Sequence, residues 1–141
     1  MSLVTIIIPY KNNLKYLFFA LESIFFQTYK KYKIIIIYDN EDKKDLKNIK
    51  RFISKKKNIK KFYIKIIINK KNLGAGESRN IGIRFSKTKY IAFLDSDDLW
   101  HKNKLKFQLD YMNKYQLPIS HTSYNIINEL GKKISSRKSK K

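Results

Sequence analysis

Tyr90-Ile91-Ala92-Phe93-Leu94-Asp95-Ser96-Asp97-Asp98-Leu99-Trp100 is an apolar run that ends in three carboxylates within four residues. It reads as a buried strand that delivers acids to a rim. The whole chain holds eleven acidic residues against thirty-two basic ones, so three acids together are not an accident of composition. Carboxylates this close repel one another unless positive charge lies between them. Asp95 and Asp97 stand two apart, a spacing that sends side chains to one side of an extended backbone, and Ser96 is small enough to let a ligand approach. A hard divalent cation with oxygen ligands suits that pattern. So does the capping of a following helix by Ser96, Asp97 or Asp98. An EF-hand loop is excluded, because Leu99 and Trp100 stand where it needs an oxygen ligand and a glycine.

Working outward, Leu3-Val4-Thr5-Ile6-Ile7-Ile8 is a continuous apolar run closed by Pro9 and Tyr10, as in a strand buried on both faces. Asn12 or Asn13 can cap a helix to about Thr28 with Leu14, Leu17, Phe18, Leu21, Ile24 and Phe25 on its apolar face. Ile34 to Tyr38 repeats the strand pattern and ends in Asp39-Asn40. Asp42 or Asp45 opens a second helix, with Leu46, Ile49, Phe52 and Ile53 inward. Phe62 to Ile68 is a third strand. Leu73 to Arg84 is a third helix whose glycines miss the dinucleotide fingerprint, because Arg79 stands where its last glycine belongs; a phosphate-binding P-loop is also absent. Beyond the acidic run, Lys102 to about Tyr115 is a fourth helix and Pro118 to Tyr124 a fifth strand. A hairpin over 126–134 turns at Asn128-Glu129-Leu130-Gly131. Ser135 to Lys141 is expected to be a disordered basic tail, leaving one domain over residues 1–134.

Alternating buried strands and helices define an α/β fold, a mostly parallel sheet with right-handed crossovers. Its ligands bind beyond the carboxyl ends of the strands. That rule gathers Pro9-Tyr10, Asp39-Asn40, Asn69 to Asn72 and Asp95 to Asp97 on one rim. Two acidic strand ends, a candidate cation site and an arginine near a helix start suit a nucleotide carrying a diphosphate.

Composition bounds the rest. A chain of 141 residues has the size of one domain, and 43% hydrophobic content supports a packed core. Cysteine is absent, so disulfide and thiolate chemistry are excluded. No apolar run reaches the length of about 20 residues that spans a bilayer, and the reading is of a cytoplasmic protein. The formal net charge of +21 invites a polyanion, but twenty-eight of the positive charges are lysines spread over every helix and loop. Specific nucleic-acid readout favours arginine, so no specific nucleic acid is expected.

Val4 to Tyr10, Gln27-Thr28-Tyr29, Ile34 to Asp39, Asn72 to Gly82 and Phe93 to Trp100 together resemble the donor-binding half of family 2 glycosyltransferases. The resemblance implies a Rossmann-like GT-A nucleotide-diphospho-sugar transferase fold with helices on both faces of the sheet. It places the family's DxD motif on Asp95 and Asp97, as ligands of Mg²⁺ or Mn²⁺, with Asp95 and Ser96 beside the donor. Asp39 falls on the acid that pairs with the base, although Tyr38 replaces the acid that often precedes it. Asn72, Arg79, Asn80 and Gly82 match the Asn-x-Gly and Arg-Asn-x-Gly motifs, with Arg79 toward the nucleotide and Gly82 allowing close helix packing. Pro9 and Tyr10 edge the base, unless Tyr10 is core.

The implied activity is transfer of a sugar from a nucleoside diphosphate sugar, a UDP-sugar being favoured, to an acceptor hydroxyl with inversion. The acceptor would be a saccharide or a lipid-linked one, as in cell-envelope polysaccharide synthesis, met in the cytoplasm or at the inner face of the membrane. The general base is not identified: after Asp98 the chain offers only Asp110 and Glu129. The chain is thus expected to be short relative to the family, with a second copy or a partner subunit supplying the acceptor half. Two alternatives are a catalytically incompetent donor-binding chain and a basic protein of polyanions or membrane surfaces.

Overall fold

The structure, a computed structural model, describes residues 3–56 and 63–139. Four parallel strands, β1 (Val4–Tyr10), β2 (Tyr32–Tyr38), β3 (Tyr63–Ile68) and β4 (Tyr90–Phe93), form a sheet of order β3-β2-β1-β4. All seven residues of β1 are buried, as a β-branched run with helices on both sides should be. Register is set by apolar pairs: Ile6 lies opposite Ile34 and Ala92, and Ile7 opposite Ile35 and Phe93. Phe62, expected to open β3, lies outside the described residues, as do Lys140 and Lys141.

Three helices cover this sheet: α1 (Leu14–Phe25), α2 (Leu46–Lys55) and α3 (Gly74–Phe85). Side chains alternate across the strands, so even and odd positions face different helices. On the even face Tyr32 donates its hydroxyl to the Ile24 carbonyl of α1 at 2.9 Å, and Tyr10 donates to Asp45 at the start of α2 at 2.6 Å. On the odd face Ile7, Ile35 and Ile37 pack with Ile67 and with Ile81 of α3. A Cβ on Gly82 would lie 2.5 Å from Ile7 Cγ2, so glycine is what lets α3 settle directly on β1. The buried Thr5 hydroxyl is satisfied by Thr88 at 2.7 Å and Ser86 at 2.9 Å.

The chain runs outward from β1 to β2 and β3, then returns to place β4 on the other side of β1. The strand order reverses at β1, so the carboxyl ends of β1 and β4 lie side by side, the place where open parallel sheets form their ligand crevice. Pro9-Tyr10 and Leu94-Asp95 flank it.

Helix starts differ from expectation. Asn13 holds the capping position of α1 with φ +66°, but its side chain bonds Asn12 instead of the helix. Asp45 holds that of α2 without capping it, because its carboxylate accepts the Tyr10 hydroxyl. α1 ends at Phe25, three residues short of Thr28.

The described chain falls into two compact units, Met1–Asn103 and Lys104–Lys141, where one domain over 1–134 is expected. The second unit holds α4 (Lys104–Tyr115) and an antiparallel hairpin of β5 (Tyr124–Ile127) and β6 (Lys133–Arg137). Residues 118–123, expected to be a fifth strand, form none; Gln108 instead binds the Ser120 carbonyl and hydroxyl at 3.3 and 3.0 Å. The turn forms where expected, because the Asn128 side chain accepts from Leu130 N at 3.0 Å and Lys132 N at 2.9 Å. Ser135, Ser136 and Arg137, expected to begin a disordered tail, pair with Ile126, Asn125 and Tyr124. Backbone pairing opposite an apolar strand outweighs their polar composition.

Candidate functional site

Two strand ends and one helix build the site. β2 delivers Asp39, which is only 3% exposed. Its Oδ1 accepts from Asn69 Nδ2 at 2.7 Å and from Leu73 N at 2.8 Å, and its Oδ2 from Gly74 N at 2.8 Å. Leu73 sits at the capping position of α3 and has no side-chain oxygen, so the helix start takes its acceptor from the neighbouring strand. A carboxylate at a helix N-terminus is also favoured by the helix dipole. Gly74 adopts φ +82°, which a side chain would resist. Asn72 Nδ2 donates to the Asp39 carbonyl at 3.2 Å, and Asn69 also reaches the buried Ser78 hydroxyl at 3.3 Å. Asp39 is therefore the clamp that fixes α3, a role absent from its expected contact with a base.

Tyr10 and Pro9 are buried in β1. The Tyr10 ring is tilted against Tyr38 at 5.5 Å, and its hydroxyl is bound to Asp45. Burial first, and then the Asp45 bond, push its ionisation well above the ordinary tyrosine range. At 1% exposure it takes the core role that the sequence left open beside a contact with the base.

At the crevice, Leu94 N donates to the Ile7 carbonyl at 3.1 Å, holding the chain to β1 as far as the acidic turn. Asp95, Ser96, Asp97 and Asp98 form that turn, closed by Asp98 N on the Asp95 carbonyl at 3.1 Å. Arg79, five residues into α3 and hence about 7.5 Å along it from Gly74, donates from Nη2 to Asp95 Oδ1 at 2.5 Å. The structure thus joins the helix clamped by Asp39 to the turn that carries Asp95 and Asp97. Partial burial first, then the charges of Asp97 and Asp95, raise the ionisation of Asp98 above the usual carboxylate range.

The segment after the turn is anchored by residues whose individual roles the sequence did not disclose. Gln27, fully buried, donates to the His101 carbonyl at 2.9 Å, and Thr28 N to the Lys102 carbonyl at 2.9 Å. Trp100 N donates to Ser23 Oγ at 3.1 Å. The Gln27-Thr28-Tyr29 signature was the available signal; its physical content is this bracing of the acidic turn against α1. Glu77 and Asn80 instead bond each other, and Glu77 also pairs with Arg84, which holds its carboxyl below the usual range.

Among the described residues no three acidic or histidine side chains converge closely enough to hold a metal by themselves. The donor set nonetheless fits Mg²⁺ or Mn²⁺ in company with a diphosphate, since such ions take one or two protein carboxylates and complete their shell with phosphate oxygens and water. Asp95 and Asp97 are the pair available.

This parallel sheet with its flanking helices aligns with solved glycosyltransferases, which places it in the GT-A class of nucleotide-diphospho-sugar transferase folds. The chain belongs to glycosyl transferase family 2, whose profile matches residues 5–138. It is 42% identical over 133 residues to an uncharacterized glycosyltransferase of Rickettsia felis, covering 94% of this chain and 21% of that one. It is 30% identical over 126 residues to the Escherichia coli UDP-Glc:alpha-D-GlcNAc-diphosphoundecaprenol beta-1,3-glucosyltransferase WfgD, covering 89% of this chain and 47% of the relative. Among solved structures, residues 1–349 of S. aureus TarS in complex with UDP align with a TM-score of 0.68 at 23% identity, over 82% of this chain and 33% of that one. The mannosyltransferase PcManGT of Pyrobaculum calidifontis, in complex with GDP-Man and Mn²⁺, aligns with a TM-score of 0.68 at 16% identity, over 89% of this chain and 35% of that one. The chain thus spans about a fifth to a half of the length of these relatives. Among the described residues no helix is long and apolar enough to cross a membrane.

Proposed function

We propose that this chain binds the donor in a glycosyltransferase that moves a sugar, with inversion, from a nucleoside diphosphate sugar to an acceptor hydroxyl. The observation that carries the reading is the Arg79–Asp95 pair at the crevice, beside Asp97. Arg79 offers planar donors that match diphosphate oxygens. Asp95 and Asp97 would hold Mg²⁺ or Mn²⁺, and the cation would supply charge neutralisation for the departing diphosphate. Ser96, between them, leaves room for the donor to approach. Asp39 and Asn72 act by fixing the start of α3, so that Arg79 is held in place before the donor arrives.

A UDP-sugar is the favoured donor, supported by the UDP named with TarS and in WfgD, and GDP is the comparison to exclude. The acceptor in the name of WfgD supports a saccharide linked to a polyprenyl diphosphate. No general base is assigned for the acceptor hydroxyl: the two acids that follow Asp98, Asp110 and Glu129, lie in the second unit. The chain by itself should therefore bind donor and transfer sugar slowly, since general-base help is commonly worth about 10²–10⁴-fold.

The test is calorimetric titration with UDP and GDP, with Mn²⁺ and with excess chelator, followed by a donor-consumption assay. UDP binding that requires Mn²⁺ and disappears in Asp97→Ala is the expected result. Equally tight binding in chelator would overturn the metal assignment, and fast transfer by the monomeric chain would overturn the expectation of slow transfer.

A further inference from the structure

Arg79 and Asp95 are the two groups that a metal–diphosphate complex would separate: the guanidinium suits phosphate oxygens, and the carboxylate suits the cation. In the structure they satisfy each other, Nη2 to Oδ1 at 2.5 Å, with side chains 32% and 50% exposed. With Arg79 on Oδ1, a divalent cation on either oxygen of Asp95 would stand close to the guanidinium, so the two positive charges compete for one carboxylate. Resting on the donor-binding reading above, we infer that Arg79 is the stand-in counter-ion of the nucleotide-free site, which a divalent cation displaces from Asp95 and which then turns to the diphosphate.

Three features support this exchange. Arg79 is anchored at its base, because the start of α3 is clamped by Asp39 through Leu73 N and Gly74 N. The guanidinium therefore swings from a fixed pivot instead of leaving the crevice. Both partners are open to solvent, so a cation reaches Asp95 without unfolding anything. Finally, one guanidinium faces a turn with three carboxylates. The pair therefore neutralises the turn only in part and leaves it attractive to a dication.

The consequence separates Arg79 from an ordinary surface ion pair. Its removal should help the metal alone and harm the nucleotide. Asp95 then couples the two ligands: cation binding frees Arg79 for the diphosphate, and diphosphate binding frees Asp95 for the cation, so each raises the affinity for the other.

The experiment titrates Mn²⁺ into the nucleotide-free chain, followed by the electron paramagnetic resonance signal of free Mn²⁺ and by quenching of Trp100, the single tryptophan. Wild type, Arg79→Gln, Arg79→Lys and Asp95→Asn are compared, each checked for an unchanged thermal midpoint. Arg79→Gln should bind Mn²⁺ about 2- to 5-fold more tightly, the scale of an exposed ion pair. At saturating Mn²⁺ it should bind UDP about tenfold or more weakly, as expected on loss of a charge-assisted donor. Arg79→Lys should fall between, and in the Asp95→Asn background Arg79→Gln should no longer tighten Mn²⁺. Unchanged or weaker Mn²⁺ binding by both Arg79 variants overturns the exchange. Should wild type show no Mn²⁺-dependent UDP binding, the donor reading falls and takes this inference with it; Mn²⁺-dependent binding by wild type without the gain in Arg79→Gln overturns the exchange alone.

Discussion

Asp39 shows how one side chain from a strand end can hold the start of a helix. Its carboxylate satisfies two orphan N–H groups of α3 and an asparagine side chain. Asp39→Ala should therefore cost about 1–3 kcal/mol through the donors it strands, read by urea unfolding. UDP and GDP affinities should fall together as α3 loosens; a loss confined to one base would restore the base contact to Asp39. The acids at 95 and 97 were legible in sequence because they are concentrated where a strand ends. Asp39 was legible as a rim residue but not as a clamp, because its partner Asn69 lies thirty positions away and nothing local announces the pairing. The bond that holds Tyr10 in the core was not legible for the same reason, its partner Asp45 being thirty-five positions distant. Tyr32 offers a second test. Burial raises its ionisation, so it stabilises the fold below the ordinary tyrosine value of about 10, and that contribution fades as pH rises past it. Stability should fall as pH rises above about 10, and Tyr32→Phe should flatten that fall while losing the bond to Ile24.

At the level of elements, the strands that read most clearly are those buried on both faces, β1 and β2, where composition leaves no alternative. The supposed strand over 118–124 failed because its few apolar residues are polar-flanked and its Ser120 is bound by Gln108. Helix lengths were legible to within a few residues; their caps were not, since Asn13 and Asp45 are drawn away by other partners. Packing of α3 on β1 depends on Gly82 having no side chain. Gly82→Ala should push the helix outward at about 1–3 kcal/mol, and it should weaken donor binding because Arg79 moves with α3. Ile7→Ala in the same chain should recover part of both losses, a non-additivity measurable by comparing single and double variants. Independent losses that simply sum would mean that Gly82 does not matter through Ile7.

For the whole molecule, the sheet order has a consequence in time. β1 finds β2 by pairing Val4 with Tyr32, 28 positions on, and β2 finds β3 by pairing Lys33 with Tyr63, 30 positions on. β4 must return to pair Tyr90 with Val4 across 86 positions. Closing that longest loop is the least favourable step in chain entropy and is expected after the shorter pairings. Leu94→Ala, which empties a buried position just beyond β4, should then speed unfolding while leaving the folding rate nearly unchanged, in a denaturant-jump experiment. A slowed folding limb would place β4 in the nucleus instead. With β4 late, the acidic turn is the last part of the rim to be assembled. A nascent or refolding chain would carry its lysine-rich surface and a paired β1–β2 core before it carried the cation site proposed at Asp95 and Asp97, so on that proposal divalent-ion binding becomes a clock for the final stage of folding.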